Sequence, residues 1–202
     1  MNTKGSLTGK ILLVVVCVVV IFLIGGFLGK YNSLVDKDEA VSTAWAGIQA
    51  QYQRRADLIP NLVNTVKGYA KHEAGTLESV VAARAKATQL TVDADDLTPE
   101  KLRQVEAAQG ELSTAIGRLL MVAENYPQLK ANENFSELQA QLEGTENRIN
   151  ESRLKYNNAV QDYNLAVRRF PGNIVAGMFG FEKKEKFAAE TGAEQAPEVS
   201  FD

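Results

Sequence analysis

FSELQAQLEGTENRINESRLKYNNAVQDYNLAVRRF, from Phe135 to Phe170, places Phe135, Leu142, Ile149, Tyr156, Tyr163 and Phe170 at a constant spacing of seven. Thr145, Ser152, Ala159 and Ala166 stand three positions after their larger neighbours. Seven residues make about two helical turns, so both rows lie on one side, and small residues beside large ones let a neighbouring helix approach closely. The stretch predicts a long helix packed in an all-α bundle.

Three further stripes lie upstream. Val41, Trp45, Ile48 and Tyr52 step by four, three and four; Leu62, Val66, Tyr69, Leu77 and Val80 make a second set, and Leu102, Val105, Leu112, Ile116, Leu119 and Ala123 a third. Each has the helical period. Thr98-Pro99-Glu100 reads as a helix start, with threonine as N-cap, proline in the tolerant first position and an acid at the positive end of the dipole. Asn125-Tyr126-Pro127 ends that helix, Ser136 and Glu137 lie near the next start, and Phe170-Pro171-Gly172 closes the fourth segment.

Arg54-Arg55-Ala56-Asp57-Leu58-Ile59-Pro60 is ambiguous. The phase Trp45, Tyr52, Ile59, Val66 continues through it, as in one helix kinked at Pro60. A break there, with Asp57 as N-cap, gives segments of more even length. The break is the expectation, hence an antiparallel up-and-down bundle of four long helices over residues 30–181. The Lys, Glu, Ala and Gly of 182–202 hold little that could pack and predict a disordered polar tail.

The bundle is preceded by ILLVVVCVVVIFLIGGFLG, Ile11 to Gly29, which has no charged residue and is flanked by Lys10 and Lys30. At a rise of about 1.5 Å per residue it spans close to the roughly 30 Å of a bilayer's hydrocarbon core. It is longer than a typical secretory h-region, and Gly26 to Tyr31 offers no small-x-small cleavage site, which predicts an uncleaved transmembrane helix over 11–29 behind a short tail, 1–10. Cys17 reads as a buried apolar thiol within that span. Lys4, Lys10 and the terminal amine, set against Lys30 and Lys37, tilt the orientation toward a cytoplasmic N-terminus and a bundle outside the cytoplasm. From Lys30 onward, 20 basic residues face 25 acidic ones, a net charge of −5. Such a surface repels phosphate backbones, which argues against nucleic-acid binding.

Residues that could carry chemistry are scarce. The one histidine, His72, is not part of a Glu-x-x-His pair or a zinc-protease motif and reads as a solvated helix residue. Asp93, Asp95 and Asp96 lack the glycine and closing glutamate of a calcium loop. Neither a nucleophile–base pair nor a phosphate-cradling glycine loop is legible. The expectation is a non-enzyme with no cofactor and no metal.

The polar residues that stand out are amides and guanidiniums. Asn150, Asn157 and Asn164 recur every seven positions beside the aromatic row. Their plain role is to satisfy partners between helices and fix register. A sharper alternative places Arg54, Arg55, Asp57, Arg148 and Arg153 on one polar groove that receives a partner helix or an acidic segment. Ile174, Val175, Met178, Phe179 and Phe181 could cap the bundle end or lie on a bilayer surface.

YNSLV at 31–35, AWAGIQAQYQRRADLIPNLVNTVKGYAKHE at 44–73, NFSELQAQLEGTENRINESRLKYNNAVQDYN at 134–164 and RRFPGNIVAGMFGF at 168–181 resemble the bacterial LemA family. The resemblance implies an N-terminally anchored antiparallel helical bundle and supplies no catalytic residues. Together these features predict a single-pass protein of the bacterial inner membrane whose bundle meets another membrane or envelope protein. The alternatives are a metal-dependent or other enzyme with an unrecognised site, and a self-assembling membrane-remodelling protein that forms homo-oligomers.

Overall fold

Helix α1 runs unbroken from Thr3 to Tyr69 and carries both the apolar run and the first stripe of the bundle. At about 1.5 Å per residue its 67 residues extend roughly 100 Å. The computed structural model describes residues 3–70 and 72–188, with side chains from residue 12 onward. After α1 come α2 (Ala74–Gln89), a 3-10 turn (Ala94–Asp96), α3 (Pro99–Ala123), α4 (Pro127–Lys130), α5 (Glu133–Arg168) and α6 (Gly172–Phe179). No strand occurs among the described residues.

The expected break before Pro60 is therefore corrected to a continuous helix. Proline in a helix interior removes one amide donor and strands the carbonyl four residues earlier. Here that carbonyl belongs to Ala56, and Arg84 Nε of α2 donates to it at 2.8 Å. Leu58 and Ile59 are buried while Pro60 faces outward, so the ring displaces no core side chain. A guanidinium from the neighbouring helix thus replaces the missing amide. Sequence period held the phase; a distant arginine supplied the hydrogen bond.

α5 runs antiparallel to α1 over nearly the whole bundle. Asn132, the N-cap of α5, lies beside Tyr69 with its amide donating to the phenol at 3.0 Å, whereas Arg153 meets Tyr52 further down. α2 descends against α1 and α3 climbs back, which makes four layers of helix around Ile59, Leu62, Val66, Leu77, Val80, Leu112, Leu119 and Leu142. The expected start at Thr98 holds, its Oγ1 accepting from Lys101 N with Pro99 at the first position; at the start of α5, Asn132 Oδ1 accepts from Phe135 N. α5 begins at Glu133, slightly ahead of the expected Ser136, because Asn132 provides the cap. The seven-residue row is buried from Phe135 to Tyr163, but Phe170 lies beyond the end of α5 and is 79% exposed.

In the lower half α2 is absent and only the start of α3, with Leu102 and Val105, reaches the core, so two other pieces complete the cover. α6 folds back at the foot, with Phe179 against Phe27 and Tyr31 of α1. The turn into it needs Gly172, where a Cβ would run into the Ala166 carbonyl oxygen. α6 then ends on Gly180 in the left-handed region, φ 76°. Residues 181–188 rise again as an extended strap beside α5 and α1. This corrects the first part of the expected polar tail, since Phe187 is buried between Trp45 and Tyr156 at centroid distances of 6.1 and 5.4 Å. The rest of that expected tail, 189–202, lies outside the described residues.

The carbonyl bridge can be tested by a double-mutant cycle. Arg84→Ala is expected to cost about 1–2 kcal/mol in urea unfolding of the detergent-solubilised protein, but only a few tenths once Pro60→Ala has restored the amide. Equal costs in both backgrounds would show that Arg84 acts elsewhere.

Candidate functional site

The middle of the bundle is built around one buried cation. Arg55 projects from α1 between α3 and α5 and is 2% exposed. One terminal nitrogen donates to Ser113 Oγ at 2.6 Å and to Glu146 Oε2 at 2.7 Å; the other reaches the backbone oxygen and side-chain oxygen of Gln109. A guanidinium suits this place because its planar fork can serve several acceptors at once. Its Nε stays without a partner. A cleft of about 330 Å³ opens beside the group, lined by Ile116, Gly117, Leu120, Gln139 and Leu142 together with the Arg55–Glu146 pair.

One turn lower, Arg153 of α5 donates to the Tyr52 phenol at 3.1 and 3.3 Å and stacks over Phe187 at 5.0 Å. Burial raises the Tyr52 phenol, although the Arg153 charge and hydrogen bond oppose the rise. Burial also lifts Glu106 on α3, against the pull of Arg153 and a hydrogen bond from the Ala188 backbone. Arg55 and Arg153 therefore meet around Tyr52 and serve the interior. Arg54, Asp57 and Arg148 face solvent at nearly the same height, with Asp57 accepting from Gln53 at 2.7 Å. Of the five residues singled out from sequence, two are tied into the core and three stand exposed.

The asparagine repeat has a partner that helix–helix reasoning did not anticipate. Asn164 donates to the Lys184 carbonyl and accepts from its amide at 2.8 and 3.0 Å; Asn157 does the same with Phe187 at 3.2 and 2.9 Å. Seven helical residues rise about 10.5 Å, and three extended residues cover nearly the same distance. Each amide thus replaces a ladder partner for the strap, and the repeat of seven sets its register. Asn150 is exposed. Lys184 also pairs with Asp38 and lies over the Tyr163 ring.

Other polar candidates lie apart from this cluster. His72 is exposed in the turn after α1, and Asp96 in the 3-10 turn sits 3.5 Å from Lys101. The loop holding that turn is pinned by Trp45 Nε1 and Gln49 Nε2, both donating to the Val92 carbonyl at 2.8 Å. A feature missed in the sequence is an open groove of about 580 Å³ near the far end, between α1 and α2, lined by Val63, Lys67, Leu77, Val81, Ala82 and Ala85. Val81 is 52% exposed there. Its single break from the stripe pattern, Val80-Val81, was the available signal.

Substitutions separate interior from surface arginines. Arg55→Ala leaves Gln109 buried without its partner and is expected to cost about 3 kcal/mol, against about 0.5 kcal/mol or less for Arg54→Ala. Chemical denaturation of both variants decides it.

The two α5 tyrosines beside the strap give a pH signature. Burial raises Tyr156 and Tyr163 from 10 to about 12, helped by Glu185 for the first and by Asp38 and Glu182 for the second. A phenol whose folded pKa is raised contributes its stability below pH 10 and loses it as pH climbs toward 12. Unfolding free energy is expected to fall across that window, and less steeply in Tyr163→Phe. An identical slope in the variant would contradict the assignment.

Comparison with known proteins adds the following. Residues 44–201 match the LemA family. The chain is 26% identical over 195 residues to magnetosome protein MamQ 2 of Paramagnetospirillum magneticum, covering 87% of this chain and 71% of the relative. It is 24% identical over 181 residues to magnetosome protein MamQ of Magnetospirillum gryphiswaldense, covering 79% and 65%. Against Protein LemA of Metamycoplasma hominis it is 25% identical over 151 residues, covering 74% and 65%.

Proposed function

Since the chain belongs to the LemA family, we propose that it is a single-pass membrane scaffold whose bundle is held rigidly above the bilayer to engage another membrane or envelope protein. The observation that carries this reading is the continuity of α1, which is apolar and exposed from Leu12 to Gly26 and forms the central column of the bundle beyond Lys30. A helix without a break transmits position and tilt, whereas a flexible linker would lose both. Relatives named as magnetosome proteins agree with a membrane-associated role.

The partner contact is assigned to the charged belt at mid-height. Arg54 and Arg148 offer cations to an acidic segment, Asp57 adds an acceptor, and Arg55 and Arg153 brace the helices behind them. The reading needs no catalytic group. In orientation, the short N-terminus lies in the cytoplasm and the bundle outside the inner membrane, as the positive flank favours.

In-cell photo-crosslinking from position 148, followed by mass spectrometry, is expected to recover a membrane or envelope protein. Arg54→Glu should reduce that yield several-fold without lowering the melting temperature. A yield that ignores the charge reversal would remove the belt as the contact. Recovery of the chain in the soluble fraction, or a covalent substrate adduct on it, would overturn the scaffold reading. For orientation, a cysteine at Glu78 in a Cys17→Ala background should react with a membrane-impermeant maleimide on cells whose inner membrane is intact.

A further inference from the structure

We propose that α6 and the basic residues beside it form a second membrane contact, an interfacial foot that seats the base of the bundle on anionic lipid. The apolar side chains of α6 divide into two sets. Val175 and Ala176 are buried against the bundle, whereas Ile174 and Met178, one turn apart, are 50 and 66% exposed, and Phe170, just ahead of the helix, is 79% exposed. An exposed apolar stripe backed by a packed one is the arrangement of a helix lying at a bilayer surface.

The height of the stripe identifies what covers it. Phe179 packs on Phe27 at 6.0 Å and on Tyr31 at 4.7 Å between ring centroids. Phe27 belongs to the charge-free run that ends at Gly29, so once that run occupies hydrocarbon the end of α6 stands at the hydrocarbon boundary. Tyr31, one turn on, is suited to the same boundary, where aromatic rings with a polar tip concentrate. The rigid continuity of α1 fixes this height.

A polar hollow of about 280 Å³ lies on the neighbouring side of the foot. Lys30, Ser33 and Lys37 of α1 face Arg169 and Asp162 across it. Asp162 offsets one of the three cations and leaves a positive excess, in a chain whose exposed part is net negative. Cations at headgroup level beside an apolar stripe fit lipid phosphates, and Ser33 adds a donor. The apolar stripe supplies insertion; the hollow favours anionic over zwitterionic headgroups.

The proposal rests on the membrane anchor, and full-length protein tests the two separately. In a Cys17→Ala background, Met178→Cys carries an environment-sensitive fluorophore, with Val81→Cys as the distant reference. The protein is reconstituted into phosphatidylcholine vesicles with or without phosphatidylglycerol. Quenching by nitroxide lipid is expected to be several-fold stronger at 178 than at 81, and quenching by aqueous iodide several-fold weaker. Phosphatidylglycerol should strengthen the lipid quenching, and Lys37→Gln with Arg169→Gln should cancel that gain. Equal iodide access at both positions, in vesicles that still float with the protein, would overturn the foot and spare the anchor. A quenching pattern indifferent to phosphatidylglycerol would overturn the phosphate-binding role of the hollow. Failure of the protein to float would remove anchor and foot together.

Discussion

Everything in this molecule hangs on α1 staying helical past Pro60. Interior proline costs a helix about 3 kcal/mol or more, partly because a carbonyl loses its donor. Arg84 offsets that loss from α2 at the Ala56 oxygen, in a contact that also ties the second helix to the first. The result is one column shared by the apolar run and the bundle. Had the chain broken there, the domain would gain a joint in its middle, and the upper helices could shift relative to the foot.

Around that column the two halves are closed by different means. Above Tyr52, α2, α3 and α5 surround α1 with aliphatic side chains, and the Arg55 cluster gives the interior a polar centre that ties α1 to α3 and α5. A buried ion of this kind contributes little net stability when paired and costs heavily when a partner is removed, which suits it to specifying an arrangement. Below Tyr52 the start of α3 and the Val92 loop are joined by the strap, held by two asparagine amides and by Phe187 inserted between Trp45 and Tyr156. Arg153 joins the two halves through its contacts with Tyr52 and Phe187.

These features describe a body built to hold position. Apart from Arg55 Nε, the Arg55 cluster in its interior is consumed in mutual hydrogen bonds, and its open features, the charged belt, the groove at Val81 and the apolar foot, lie on the outside. Membrane association and LemA membership follow from the apolar helix and the family match. The proposed partner contact and lipid seat follow from where the leftover charge and apolar surface lie, at mid-height and at the base.

Local sequence determined the helices, most of their buried faces, the cap at Thr98 and the stop at Phe170-Pro171-Gly172, because each depends on neighbours within a few positions along the chain. It also marked the apolar run as long and uncharged enough to cross a membrane. The path through Pro60 was decided by tertiary structure, for the donor that rescues Ala56 stands on another helix. So was the strap: Lys183 to Lys186 look solvated in isolation, and the side chains of Asn157, Asn164 and Tyr156, brought alongside by folding, satisfy the backbone that Phe187 draws inward. The arginines divided for the same reason. Arg54 and Arg55 are adjacent and chemically alike, but about 100° of helical rotation turns one to water and the other into the bundle.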